Sequence, residues 1–206
     1  MDNIASDQKA KIAETKEAIE DRPVVKEPPS GPKILLESSF ILAILNQVDP
    51  NNKTASAILG FLTPFNCRFH IPLLVSAEVL SKVVQREKGV AAGIKLFESF
   101  MKRLPGTLLT GATPDFDDIV SRYKMFGRKD IKNLQGNDFI IVTEGIISGS
   151  VILTCDHEMY KRVKNYHEDI YFVATDSDKY EDDAAKLISR FLKLSAAPVG
   201  SKQGVK

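Results

Sequence analysis

Short apolar runs alternate with longer amphipathic segments along most of this chain, and the two patterns predict different elements. Five short runs with β-strand character predict strands at 33–36, 68–71, 107–110, 151–154 and 170–173. Segments whose apolar residues recur every three or four positions predict helices at 39–48, 53–62, 73–85, 91–102, 115–123, 138–147, 158–164 and 178–194. This alternation predicts an α/β domain of three layers, in which helices cover both faces of a parallel sheet of about five strands.

Both ends of the chain depart from this pattern. Residues 1–32 join an Ala-, Lys- and Glu-rich segment to a Pro-rich one, which predicts a flexible N-terminal arm with a linker. Ile12 and Ile19 could share one helical face, so an arm that docks on a neighbouring subunit is the alternative. Residues 196–206 predict a disordered tail, which leaves 33–195 for the α/β domain.

Composition narrows the function classes. The 206 residues suffice for one domain, and 28 Lys and Arg against 27 Asp and Glu give a net charge of +1. Any nucleic-acid surface must therefore be a local patch of positive charge.

Cysteine content and hydropathy indicate the compartment. Cys67 and Cys155 favour two thiols in a reducing compartment over a disulfide or a zinc site. With no hydrophobic signal core and no apolar run near the ~20 residues that cross a bilayer, we expect a cytoplasmic protein without membrane contact.

Four acidic residues lie beside apolar runs, where the predicted topology can gather them. Glu37 and Asp156 follow the strands at 33–36 and 151–154, Asp138 opens a helix, and Glu78 lies early in another helix. Sites in parallel sheets lie beyond the carboxyl ends of the strands, so all four acids can reach one edge. Two carboxylates about 5 Å apart repel by roughly 3 kcal/mol at an effective dielectric of about 20, so gathered acids need protons or cations. The acids therefore predict a Mg²⁺ or Mn²⁺ site and phosphodiester hydrolysis.

Each acid also has a purely structural explanation. Asp138 and Asp156 could cap helices, Glu78 could pair with Lys82 on a solvated face, and Glu37 could be a solvated loop residue. Their joint placement after apolar strands argues against this explanation, because carboxylates are costly at such positions.

The order of these motifs resembles the PIN-domain family, which includes the VapC-type ribonuclease toxins of toxin–antitoxin modules. The resemblance covers about residues 33–175 and rests on Glu37-Ser38-Ser39, Ser76-Ala77-Glu78, Asn137-Asp138 and Thr154-Cys155-Asp156. It implies a PIN-like fold and a metal-dependent endoribonuclease that hydrolyses single-stranded or structured RNA with a water nucleophile. It also implies an RNA substrate, an antitoxin protein as a partner if the chain is a toxin, and a homodimer.

The resemblance assigns roles residue by residue. It implies Mg²⁺ or Mn²⁺ as the cofactor and a catalytic group made of Asp138, Asp156, Glu78, Glu37 and Thr154. Thr154 would orient the site through its hydroxyl. The implied metal ligands are Glu37, Glu78, Asp138, Asp156 and Glu158.

One position departs from the family pattern. The first acid of the family is usually Asp, and here it is Glu37. The extra methylene moves the carboxylate by about one bond length, whereas Mg²⁺ requires near-octahedral oxygens at ~2.0–2.1 Å. Two hypotheses follow, an active ribonuclease and a weak or inactive PIN-fold module that binds RNA or a protein. An unrelated phosphohydrolase acting on small phosphate esters is a third.

A basic segment precedes Asp138 in the sequence. Its cations, which alternate with Tyr123 and Phe126, are Arg122, Lys124, Arg128, Lys129 and Lys132. They predict contact with an RNA backbone beside the acids. The alternative is a solvated helix end, where cations interact favourably with the helix dipole.

Overall fold

Four parallel strands form the central sheet, in the order β2–β1–β3–β4. They are β1 Lys33–Leu36, β2 Arg68–His70, β3 Val151–Thr154 and β4 Ile170–Phe172. Nearly all of their residues are buried, as expected for a parallel sheet covered on both faces. This computed structural model describes residues 31–87, 89–104, 114–126, 134, 136–174 and 181–196.

Eight helices accompany the sheet in that part of the chain. They are α1 Ser38–Leu45, α2 Asn52–Leu62, α3 Leu73–Arg86, α4 Val90–Arg103, α5 Phe116–Met125, α6 Gly136–Ser148, α7 His157–Val163 and α8 Glu181–Ala196. A single 3₁₀ turn, Thr63–Phe65, follows α2.

The direction of the crossovers places the helices in two layers. The pair α1–α2 connects β1 to β2, whereas α3–α6 connect β2 to β3 on the other side of β1. Right-handed crossovers in opposite directions put their helices on opposite faces of the sheet. The predicted three-layer α/β fold is thereby confirmed, with four strands in the described residues rather than about five. The predicted strand at 107–110 lies outside them.

Helix boundaries lie within two residues of the predictions at most ends, and α1 shows why one end differs. The apolar pattern predicts a helix that continues to position 48, but α1 ends at Leu45. The Asn52 side-chain amide donates to the Ala43 and Ile44 carbonyl oxygens, at 2.8 and 3.0 Å. These bonds satisfy carbonyls that a helix end leaves unpaired. Val48 is consequently 87% exposed.

The two predicted end segments are described only at their inner limits. The Pro32 carbonyl accepts a hydrogen bond from the Arg68 backbone N–H at 2.9 Å, which continues the β1–β2 pairing into the predicted linker. The rest of the predicted arm, 1–30, and the tail beyond Ala196 lie outside the described residues. No helix in the described part of the chain is long and apolar enough to span a membrane.

A buried polar pair ties β2 to α6. The His70 Nε2 atom lies 2.7 Å from the Glu144 Oε1 atom, and both residues are at most 5% exposed. Two facing polar groups that satisfy each other avoid the cost of an unpaired buried group. The pair fixes the orientation of α6, the helix that carries Asp138.

Close packing of α6 on the sheet gives a test of this arrangement. A Cβ atom on Gly145 would lie 2.6 Å from the Ile152 Cδ1 atom and 2.9 Å from its Cγ1 atom. The overpacking cost of about 1–3 kcal/mol outweighs the gain of up to about 1 kcal/mol that Ala brings to a helix, so Gly145→Ala should lower the free energy of unfolding by up to about 2 kcal/mol. Gly60→Ala in α2, where a Cβ would meet nothing within 4 Å, should raise it by up to about 1 kcal/mol. Urea unfolding measures both, and equal effects would contradict the packing.

Candidate acidic site at the sheet edge

The candidate site begins where two neighbouring strands turn into helices. Leu36 pairs with Leu153 in the sheet, and the Glu37 backbone N–H donates to the Leu153 carbonyl oxygen at 3.0 Å. Glu37 is the N-cap residue of α1, and Asp156 is the N-cap residue of α7. The strand register therefore places Glu37 beside Thr154, which ends β3.

The Glu37 carboxylate is the centre of a hydrogen-bond network. Its Oε1 atom accepts from the Ser38 hydroxyl at 2.5 Å. Its Oε2 atom accepts from the Ser39 backbone N–H and from the Thr154 hydroxyl, both at 3.0 Å, and also from the Ser39 hydroxyl. Both carboxylate oxygens thus face donors of the protein itself, and Glu37 is only 3% exposed. This carboxylate joins the ends of β1 and β3.

The Ser38 hydroxyl connects Glu37 to Glu78 of α3. Its Oγ atom lies 2.5 Å from Glu37 Oε1 and 2.9 Å from Glu78 Oε2. A hydroxyl carries one hydrogen, so it can donate to only one carboxylate at a time. The other contact requires a proton on a carboxyl group or a nearby cation that offsets the charge. The structure thus brings together the first two of the predicted acids.

Burial sets the protonation of Glu37. Loss of solvent raises the pKa of the Glu37 carboxyl above its ordinary value, because burial penalises the charged form. The hydrogen bonds from Ser38, Ser39 and Thr154 lower the pKa and offset part of that rise. A proton on Glu37 would complete the chain from Glu37 through Ser38 to Glu78.

The Asp156 backbone is bonded to Thr154 at the same edge of the sheet, and the Asp156 side chain caps α7. Its backbone N–H donates to the Thr154 hydroxyl oxygen at 2.9 Å. Its Oδ1 atom accepts from the backbone N–H groups of Glu158 and Met159, at 2.8 and 3.0 Å. The capping function considered for Asp156 is therefore present, and Thr154 links this turn to the Glu37 network.

Asp138 and Glu158 occupy different surroundings. Asp138 is half-buried in the first turn of α6. Glu158 lies in the first turn of α7 with a side chain that is 63% exposed, and it forms ion pairs with Lys161 and Arg162 at 3.5 Å each. The Glu158 side chain thus forms its ion pairs with cations of its own helix.

The donor set suits a hard cation, although the described acids form a pair and not a complete cluster. Carboxylate and hydroxyl oxygens are the ligands that Mg²⁺ and Mn²⁺ prefer. Because Glu37 and Glu78 both contact the Ser38 hydroxyl, their negative charges lie close together and would be stabilised by a cation. Among the residues described, no group of three His, Cys, Asp or Glu side chains is arranged to hold a metal ion.

A thiol nucleophile does not suit this edge. Burial, followed by the charges of Glu37 and Asp49, raises the pKa of the Cys155 thiol to about 12. Burial alone raises the pKa of Cys67 to about 11. Both cysteines are free, and both stay protonated near neutral pH.

The predicted basic segment is described only in its first part. Arg122 is half-buried, and its Nη1 atom lies 3.0 Å from the Met125 Sδ atom, whereas Lys124 is exposed. Arg128, Lys129 and Lys132 lie outside the described residues.

Sequence reasoning missed two parts of the site. The sequence pattern gave Ser38 and Ser39 no role of their own, but their hydroxyls donate to the two oxygens of Glu37. The available signal was a Glu-Ser-Ser run directly after a buried strand. Sequence reasoning also gave His70 and Glu144 no role, because nothing in the local pattern of either residue points to a partner 74 positions away.

Comparisons with known proteins find solved structures of similar fold, among them two VapBC structures of low sequence identity. The sequence matches no protein-family model and no curated protein. VapBC2 from Rickettsia felis, bound to a DNA fragment from its promoter, is similar with a TM-score of 0.48 and 18% identity, over 65% of this chain and 94% of that chain. VapBC-1 from nontypeable Haemophilus influenzae gives a TM-score of 0.47 and 16% identity, over 65% and 93%. Function has to be argued from the site itself.

The raised pKa of Glu37 predicts how stability changes with pH. The folded state binds this proton more tightly than the unfolded state does, so the Glu37 contribution is fully present below the ordinary carboxyl pKa and is lost as pH rises through the folded value. Glu37→Gln removes this loss. Urea unfolding between about pH 4 and 8 should show the variant gaining stability relative to wild type as pH rises. Glu98→Gln, on the exposed side of α4, is the control and should parallel wild type. A parallel profile for Glu37→Gln would contradict the raised pKa.

Proposed function

We propose that this protein is a divalent-cation-dependent endoribonuclease that hydrolyses phosphodiester bonds in RNA. The observation that carries the proposal is the junction of Glu37 and Glu78 on the single hydroxyl of Ser38. The junction lies at the carboxyl edge of a parallel sheet, where α/β proteins bind their ligands. It concentrates negative charge that a proton or a cation must offset.

The proposed cation ligands are Glu78, Asp138 and Asp156, with Glu37 and Glu158 as further acids of the same set. When bound, Mg²⁺ or Mn²⁺ supplies a water of lowered pKa and offsets charge on the phosphoryl oxygens. The protein residues fix the frame around that chemistry. The Thr154 hydroxyl accepts from the Asp156 backbone N–H and donates to the Glu37 carboxylate. Separating the ends of β1 and β3 would therefore break the bond between Thr154 and Glu37.

A second function is favoured by a specific observation. Both oxygens of Glu37 already accept hydrogen bonds from Ser38, Ser39 and Thr154. Three of these donors converge on Oε2, whereas Oε1 accepts only from Ser38, so the donors of the protein already use most of the acceptor capacity of this carboxylate. The alternative is therefore a module that binds RNA or a protein at this edge without cleaving. An antitoxin partner and a homodimer remain proposals that rest on the family resemblance.

The proposal predicts EDTA-sensitive cleavage of RNA. Purified protein with labelled single-stranded and hairpin RNA should generate products with 5′-phosphate ends in Mn²⁺ or Mg²⁺ and none in EDTA. Asp138→Asn should lower the rate at least about a hundredfold, since losing a ligand should cost no less than the 10–100-fold typical of outer-shell changes. The control variant Glu98→Gln changes an exposed acid of α4 and should leave the rate unchanged.

The outcomes separate the two functions. Cleavage that survives both EDTA and Asp138→Asn would indicate a contaminating nuclease and refute the proposed site. Tight RNA binding without cleavage in any cation would support the binding module.

If Arg122 and Lys124 contact the RNA backbone, replacing them should change the salt dependence of RNA binding. The double variant Arg122→Gln with Lys124→Gln should flatten the slope of log affinity against log salt by about 0.7 for each single-strand phosphate contact that is lost. The control is Lys95→Gln with Lys102→Gln, which removes the same charge from exposed positions of α4. Equal slopes for wild type and the Arg122/Lys124 variant would show that these two cations do not contact the RNA phosphates.

A further inference from the structure

A row of aromatic rings runs from the surface to the start of α6. Tyr123 of α5 stacks on Phe139 with ring centroids 4.0 Å apart and planes at 27°. Phe126 packs edge-on against Phe139 at 5.4 Å and stacks on Tyr166 at 4.3 Å. Phe139 directly follows Asp138 in the chain. The row therefore ties α5 to the helix turn that carries one of the proposed catalytic acids.

Tyr123 is the exposed end of this row. Phe139 is 1% exposed and Phe126 is 5% exposed, but Tyr123 is 41% exposed. An aromatic ring that served only to pack α5 on α6 would gain most by being covered, since burial stabilises in proportion to apolar area. Instead one side of the ring is supported by Phe139 while a large part remains in contact with solvent.

The support from Phe139 prepares the ring for a stacking ligand. Proteins that bind single-stranded nucleic acids combine cations, which follow the phosphates, with aromatic rings on which bases stack. A ring already held by a buried neighbour loses little further freedom when a ligand covers its open face. Arg122 and Lys124 lie in the last turn of α5, as Tyr123 does, so this turn carries two positive charges as well as the ring.

We propose that Tyr123 is a platform on which an unpaired base of the RNA substrate stacks beside Asp138. The inference rests on the proposed RNA-directed function and extends it, because it assigns a contact with a base rather than with the phosphates. A base held there would make the protein prefer single-stranded or looped RNA over a continuous duplex, whose bases stack on one another.

The test is a double-mutant cycle between protein and RNA, measured in EDTA so that no cleavage is needed. The probes are an eight-nucleotide oligoadenylate and an abasic ribose-phosphate oligomer of the same length, which keeps the charges and lacks the bases. Wild type should bind the oligoadenylate more tightly than the abasic oligomer. Tyr123→Leu should weaken oligoadenylate binding by about 5-fold to 150-fold, the range expected for one stacked base, and leave abasic binding unchanged. Tyr123→Phe, which keeps the ring, should bind like wild type.

Controls and outcomes make the result decisive. Val48→Ala removes another exposed apolar side chain and should change neither affinity. Thermal unfolding confirms that each variant is folded. If Tyr123→Leu is unstable, Tyr123→Met, which also lacks the ring, replaces it with the same expected result. If Tyr123→Leu weakens both oligomers equally, or neither, the platform is refuted while RNA binding stands. If wild type binds neither oligomer, nor hairpin RNA, the platform and the proposed RNA substrate both fail.

Discussion

The buried carboxylate of Glu37 is the interaction on which the site depends. It joins two strand ends that are remote in sequence, because it accepts from Ser38 and Ser39 after β1 and from Thr154 at the end of β3. Loss of one partner would leave a buried polar group unpaired, at a cost of about 1–3 kcal/mol, more for a charged group. The backbone N–H groups of Cys155 and Asp156 attach to the Ser39 and Thr154 hydroxyls, so the turn into α7 depends on the same network.

This network also determines how charge is arranged at the edge. Ser38 contacts both Glu37 and Glu78 but has one hydrogen to donate. If both acids are ionised, one contact has no hydrogen, and a nearby cation has to offset the charge. A proton on Glu37 satisfies the contacts without an ion, and a cation satisfies the charge without the proton. The first state suits a binding module and the second suits a nuclease. Both states follow from the same atoms.

The sequence was sufficient for the α/β fold and for the position of Glu37 and Asp156 at one edge of the sheet. Apolar runs bounded by acids locate β1 and β3, and parallel pairing then forces Glu37 and Asp156 to the same edge. The end of α1 was missed because the Asn52 amide, seven residues beyond Leu45, satisfies the helix carbonyls. The His70–Glu144 pair was missed because its partners meet only through the packing of α6 on β2. Which donors an oxygen faces depends on rotamers, and periodicity carries no information about rotamers.

The length of the Glu37 side chain determines which hydrogen-bond donors its carboxylate reaches. A side chain shorter by one methylene would draw the carboxylate back by about 1.5 Å, roughly one C–C bond. From there it could not keep both of its present bonds at hydrogen-bonding distance, since Ser38 donates to Oε1 at 2.5 Å and Thr154 donates to Oε2 at 3.0 Å. The extra methylene is therefore what allows one acid to reach donors on both strand ends. The same reach directs both oxygens toward donors of the protein, so the length of this side chain is what lets a single carboxylate serve as the frame of the site.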